Sequence, residues 1–256
     1  MEPTIITPDI RMADLARAMS KLQLLFPGVT ADQIKNEYKI NYEFLRFEIL
    51  LKPNTTVYEI NPVEGNDTLK ALERKVASGH AFIATSAGIA LHKVDFNNTS
   101  GLTSNEGTYP LFTSPDPAQF VGTLAGSVPE YRALLNIWNG KLTITKDSDT
   151  IGRVPLINGL KTPLGNYNAT APIQLPEFTP DLEKSGVLQR LYTQILINGA
   201  ATNRIKIELS AGDTAIIDGS RDAAGASVTT SRNMLTVIMG GFYVENKPDN
   251  SCPARM

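Results

Sequence analysis

Few residues in this 256-residue chain suit covalent or metal chemistry: one cysteine and two histidines. Cys252 has no partner for an internal disulfide, so folding in a reducing compartment is expected. His80 and His92 belong to one apolar run, with no Cys/His cluster and no His-Glu-x-x-His helix beside them. They are expected as satisfied histidines at strand ends, and neither a metal nor a cofactor is expected. Positive charge is equally sparse. The formal charge is −2 and no Lys/Arg run exceeds two residues, so the basic patch of a phosphate-gripping protein is missing and direct nucleic-acid binding is not expected. No stretch reaches the roughly 18 apolar residues that span a bilayer. The opening Met-Glu-Pro-Thr-Ile-Ile-Thr-Pro has neither a positive region nor a cleavable apolar one, which points to synthesis and folding in a cytoplasm. The Asn-x-Ser/Thr triplets at Asn54, Asn66, Asn97, Asn98 and Asn168 then read as by-products of polar loops.

The composition does supply a core, since 42% of the residues are hydrophobic. Their spacing changes along the chain. Met12, Leu15, Ala16, Met19, Leu22 and Phe26 recur at helical intervals, and Pro27-Gly28 stops that helix. Thr30 with Gln33 is a capping box opening a second short helix that runs to about Tyr38. Residues 1–40 therefore form a helical N-terminal arm, either covering a sheet edge or reaching a partner. Arg11, Arg17 and Lys21 give its first helix a mildly positive face compatible with a membrane surface.

From Tyr42 the pattern is β. Strands are expected at 42–51, 57–60, 80–94, 141–145, 191–197, 204–209, 215–218 and 233–244, the third being one long strand or two joined at Gly88. Helices are expected from Thr68 to Gly79 and from Pro129 to Trp138. Residues 159–180, with four prolines among Gly and Asn, read as a linker, and the chain is polar and Pro-containing from Glu245 onward. Many short strands with few helices suit a sandwich or jelly roll. The expected organisation is two jelly-roll β-sandwiches side by side, at 41–165 and 166–256.

Catalytic constellations do not assemble in the sequence. Ala84-Thr85-Ser86-Ala87-Gly88 lacks the first glycine of a nucleophile elbow, and the only later histidine lies in the same run. Gly219 to Gly225 lacks the Lys-Ser/Thr of a phosphate loop. Asp213, Asp218 and Asp222 fit solvated turns better than a carboxylate pair. Trp138, Tyr131, Tyr167 and Tyr192 sit on apolar periodic faces, which suits buried anchors better than sugar-stacking platforms. No enzymatic activity is expected.

The phrases Tyr42-Glu-Phe-Leu-Arg-Phe-Glu-Ile, His80-Ala-Phe-Ile-Ala-Thr-Ser-Ala-Gly-Ile-Ala-Leu, Tyr109-Pro-Leu-Phe and Leu134-Leu-Asn-Ile-Trp-Asn-Gly-Lys-Leu-Thr-Ile, in that order, carry a resemblance. Over about residues 40–160 the chain resembles major capsid proteins of small tail-less, membrane-containing bacteriophages of the double jelly-roll lineage. The resemblance implies a structural virion protein, made in a host cytoplasm and self-assembling as homotrimeric, pseudo-hexameric capsomers into an icosahedral shell. Implied partners are neighbouring capsomers, vertex proteins and an internal membrane met by the arm through Arg11, Met12, Leu15, Arg17, Met19, Lys21, Leu22 and Phe26. The alternative is a receptor- or carbohydrate-binding β-sandwich such as a phage spike or fibre head.

Overall fold

The computed structural model describes residues 8–25, 28–63, 75–95, 134–156, 188–210, 217–219 and 231–246. Two helices, α1 (Pro8–Leu25) and α2 (Ala31–Glu37), precede eight strands: β1 (Tyr38–Leu50), β2 (Val57–Ile60), β3 (Ala81–Asp95), β4 (Lys141–Lys146), β5 (Asp149–Pro155), β6 (Gln189–Asn198), β7 (Asn203–Glu208) and β8 (Ser231–Asn246). The capping box forms as its spacing requires. The Thr30 hydroxyl accepts from the Gln33 amide at 3.2 Å, and the Gln33 side chain accepts from the Thr30 amide at 2.8 Å. Gly28, at φ +89°, makes the turn between the helices that a side chain would strain.

The strands form two four-stranded antiparallel sheets, ordered β1-β8-β3-β6 and β2-β7-β4-β5. The pairing is nested: β1 with β8, β2 with β7, β3 with β6, β4 with β5. A single antiparallel ribbon is thus wound over itself, with β8–β3 and β7–β4 as the lateral contacts of the winding; this is the strand order of one jelly roll. Both sheets draw strands from either side of residue 165, and among the described residues they make one eight-stranded sandwich; the two side-by-side rolls expected from strand counting are not seen there. The physical reason is register. All of β1 from Tyr38 to Leu50 is laddered to β8 from Asn246 to Met234, so the first strand has its hydrogen-bond partner at the far end of the chain.

Antiparallel winding sorts the connections. Residues 51–56, 96–140, 156–188 and 209–230 all join strand termini at one end of the sandwich, the loop end. At the opposite end connections 61–80, 147–148 and 199–202 join strand termini, together with the start of β1 and the close of β8, which makes it the arm end.

Between the sheets sits the main core. Leu45, Phe47 and Ile49 of β1, Phe82 and Ile89 of β3, Val237 and Met239 of β8, and Ile195 and Ile197 of β6 meet Ile60, Leu142, Ile144, Val154, Ile205 and Ile207 of the second sheet. Leu134, Ile137 and Trp138, at i, i+3 and i+4 of a helical turn over 134–138, close the cluster. Burying each large side chain contributes roughly 1.5–3 kcal/mol.

Other sequence expectations fare unevenly. β3 is one continuous strand, not two joined at Gly88. β1 begins four residues before Tyr42, because its ladder with β8 extends to Tyr38. Residues 75–80 are non-helical, with Gly79 in a turn at φ +85°; residues 68–74 of that expected helix lie outside the described residues, as does the 159–180 linker. Residues 217–219 form a turn instead of the end of a strand. β5 went unread: its hairpin turn is Asp147-Ser148, both at positive φ (48° and 79°), which is two-residue turn geometry without the Asn-Gly signal.

Candidate assembly surface

The sequence-expected arm residues can now be placed one by one. The apolar stripe of α1 packs against the outer face of the β1-β8-β3-β6 sheet. Ala18, Met19 and Leu22, with Ile34 of α2, are buried against Ala81, Ile83, Phe242 and Val244, and Leu15 packs at the margin. Arg11 lies over the Tyr42 ring, its guanidinium carbon 4.9 Å from the centroid. The Lys21 ammonium donates to the Gln194 carbonyl, and burial holds its pKa below the usual lysine value. Arg17 is exposed, 3.9 Å from Asp14. Met12 is exposed, and Phe26 lies outside the described residues. Meeting its own sheet, the stripe covers a sheet face and not a sheet edge.

A polar latch that sequence reasoning missed fixes the helix sideways. The buried Asp14 carboxylate accepts from Arg190 of β6 at 2.7 Å, and the Asp14 carbonyl accepts from the Gln194 side-chain amide at 2.8 Å. Asp14 shares a helix face with Ala18, a spacing that flags burial, but its partner lies 176 residues away and no local pattern announces it.

The latch holds an irregular edge. β6 pairs with β3 at Ala84↔Ile195 and resumes at Ser86↔Arg190, so Leu191–Gln194 stand opposite Thr85 alone. At the same level β3 and β8 slip register at Thr85, beside Gly240 and Gly241. A Cβ at Gly241 would collide with the Ile83 carbonyl, a backbone atom that cannot yield. Residues that bulge from an edge strand are re-aimed, and Tyr192 is 98% exposed. The expectation of a buried aromatic anchor fails there, because the bulge breaks the period of two that would turn Tyr192 inward. Trp138, by contrast, is fully buried.

The outer face of the second sheet is polar and cross-linked by charge. Glu59 pairs with Arg204 at 3.0 Å, and Glu208 pairs with Lys141 at 3.1 Å and Lys206 at 3.8 Å. The Lys141 ammonium, followed by Lys206 and the Thr143 hydroxyl, holds the Glu208 carboxyl below the usual carboxylate range. Glu59–Arg204 and Lys141–Glu208 are cross-strand pairs on a wet sheet face, and Lys206 reaches Glu208 along β7 itself.

Remaining candidates for chemistry are tied into the fold. His80 Nδ1 lies 3.3 Å from the Tyr243 hydroxyl, which also accepts from the Ala77 amide at 3.0 Å; the His92 side chain lies outside the described residues. Ser86 is fully buried with its hydroxyl toward the Gly240 carbonyl at 3.4 Å. Asp218 is buried, where a solvated turn was expected, because Asn233 clasps its segment: the Asn233 amide donates to the Asp218 carbonyl at 2.9 Å, and its side chain to Ile217 at 3.0 Å. Asp213 and Asp222 lie outside the described residues. Among the described residues no group of three or more His, Cys, Asp and Glu could hold a metal ion, and no helix is long and apolar enough to cross a membrane. A polar depression of about 270 Å³ at the arm end is lined by Thr145, Asp147, Ser148, Thr202 and Arg204. There the Asp147 carboxylate is occupied by the Thr202 amide at 3.1 Å. No family model, curated protein or solved structure matches the chain.

Proposed function

We propose that this chain is a structural subunit of a virion shell that self-assembles through the side faces of its jelly roll. The observation that carries this reading is the nested strand order β1-β8-β3-β6 with β2-β7-β4-β5. It sorts the strand connections to two ends and leaves two lateral edges, β1/β2 and β5/β6, for neighbours. Shell contacts bury about 1,000 Å² or more each, and sheet edges are the places such contacts must either cover or protect. Among the described residues each chain supplies one roll, where the double-roll resemblance implies two. The docked arm leaves Met12 and Leu24, the large hydrophobic side chains of α1 exposed among the described residues, available to neighbouring subunits or to an internal membrane.

A second reading rests on a different observation. Three long connections, 96–140, 156–188 and 209–230, leave and rejoin the strands at the loop end, and loops that spring from one end of a rigid scaffold commonly carry recognition. That would suit a receptor- or carbohydrate-binding module.

The deciding experiment is native mass by light scattering behind a sizing column over a range of concentrations. The shell reading expects multimers that grow with concentration and, by electron microscopy, rings or closed particles. A strict monomer at every concentration would overturn it, and glycan-array binding by that monomer would establish the second reading.

A further inference from the structure

We propose that the chain's own β5–β6 connection, residues 157–187, lies across the loop-end half of the outer face of the β1-β8-β3-β6 sheet and makes that half an internal surface. This cover stands apart from the shell-subunit reading and bears on it, since a face closed from within is not offered to a neighbour.

The outer face of that sheet is buried at both ends, yet the helices account for one of them. At the arm end α1 and α2 lie on Ala81, Ile83, Phe242 and Val244. The polar latch of α1 reaches as far as Arg190, level with Ser86 and Gly240. Beyond that level the outward positions include Glu48 on β1, Met234, Thr236 and Ile238 on β8, and Ala90 on β3, in register with one another. Their neighbours Phe47, Ile49, Leu235, Val237 and Ile89 face the core between the sheets. All five outward side chains are buried. Glu48 is the most telling, because a carboxylate on a bare sheet face stands in water. Here it is fully buried with the Arg46 guanidinium as an ion-pair partner, and a charge leaves water only where something covers it.

The described flanks of the connections point to which segment that is. Leu188, immediately before β6, packs on Ala90 and Ile238. Ile238 lies on β8, beyond β3 as seen from β6, so the chain approaches β6 over the outer face and not around its edge. Residues 96–133 lead instead into Leu134, Ile137 and Trp138, which lie between the sheets, and the β7–β8 connection passes through Ile217, also between the sheets. Residues 61–80 join strands at the arm end, and β8 closes there. Length agrees. Crossing from one sheet to the other spans about 10 Å, which about three to four extended residues cover. Residues 157–187 are far more than that, and they bring Ile173, Leu175, Phe178, Leu182 and Val187 to cover an apolar face. The sheet face left open is that of β2-β7-β4-β5, where Glu59, Lys141 and Arg204 are exposed.

The test uses the unaltered sequence with photo-methionine, a diazirine analogue, in place of methionine. On illumination Met234, buried on the covered half, is expected to cross-link to peptides from residues 157–187. Links from Met234 to residues 1–7, 96–133 or 211–230 in their place would overturn the proposal.

Peroxide supplies a second readout, because methionine oxidation follows exposure. In the parent chain Met234 is expected to resist as Met239 does between the sheets, at least about tenfold more slowly than the exposed Met12. With residues 160–186 replaced by a Gly-Ser linker of equal length, Met234 is expected to approach the rate of Met12 while Met239 stays protected. Met234 as protected in that variant as in the parent would overturn the proposal. If the variant fails to fold and Met239 oxidises too, the cross-link on the unaltered sequence decides. Neither readout depends on native mass, so this cover and the shell reading fail separately.

Discussion

Tyr58 stands where β1 hands over to β2. Its hydroxyl accepts from the Lys52 amide at 3.1 Å and donates to the Lys52 carbonyl at 3.2 Å. Burial raises its pKa above the usual tyrosine value, opposed by the bond to Lys52 and aided by the nearby Asp218 charge. The folded state therefore keeps the proton to higher pH than the unfolded chain does. The stabilisation is fully present below the unfolded pKa of about 10, and it is lost as pH rises from there through the folded value. Tyr58→Phe is expected to cost about 1–2 kcal/mol at neutral pH, because both Lys52 backbone groups lose a partner. It is also expected to shrink the loss of stability between about pH 9 and 11. Urea midpoints of the parent and the variant at pH 7 and about 10.5 check both statements. Parallel alkaline limbs would mean that Tyr58 ionises as freely in the folded chain as in the unfolded one.

At the scale of elements, α1 raises the question of whether it belongs to the cooperative unit or merely rests on it. Its buried stripe joins a cluster separate from the core between the sheets, and its polar latch reaches only β6. The helix should therefore open in a step of its own below global unfolding. Leu22→Ala removes a side chain that is 1% exposed, a change that costs about 2–5 kcal/mol when the surroundings cannot relax. The expected result is faster amide exchange throughout α1, with β8 amides exchanging as in the parent chain. Asp14→Ala should act in the same direction, since it strands Arg190 at the sheet edge. Equal loss of protection in β8 would show instead that arm and sandwich unfold together.

The nested winding makes a claim about the whole molecule. β8 lies between β1 and β3, and β7 between β2 and β4, so the second half of the chain supplies an inner strand of each sheet. Expressed separately, residues 41–165 and 166–256 are each expected to lack sheet signal by circular dichroism and to lack a cooperative melt. Mixed, the two fragments are expected to recover both. An independently folding half, as two side-by-side rolls would require, would contradict the pairing of β1 with β8. Folding should also be slow for the chain length, because the outermost pair joins residues 38–50 to 234–246 and that loop must close before its contacts form.

Local chemistry was legible wherever the deciding interaction is local. Thr30 and Gln33 announce their capping box because both partners lie within one turn. Arg204, Lys206 and Glu208 alternate with Ile205 and Ile207 because a half-buried sheet face imposes a period of two. The capacity to build a β-rich core, the helical arm and the stripe on α1 all follow from such spacing. Tertiary structure decided the rest. Counting strands cannot reveal which strands pair, so the ladder of β1 to β8 was out of reach of spacing alone. The inward period of β6 fails at Leu191–Gln194 because β3 and β8 slip at the same level, which turned Tyr192 from an expected anchor into the most exposed of the large hydrophobic side chains named for the described residues. Asp14 found Arg190 across 176 residues. Hydrogen bonds between distant strands carry no signature in either strand alone, so partner choice, register and edge exposure belong to the folded chain.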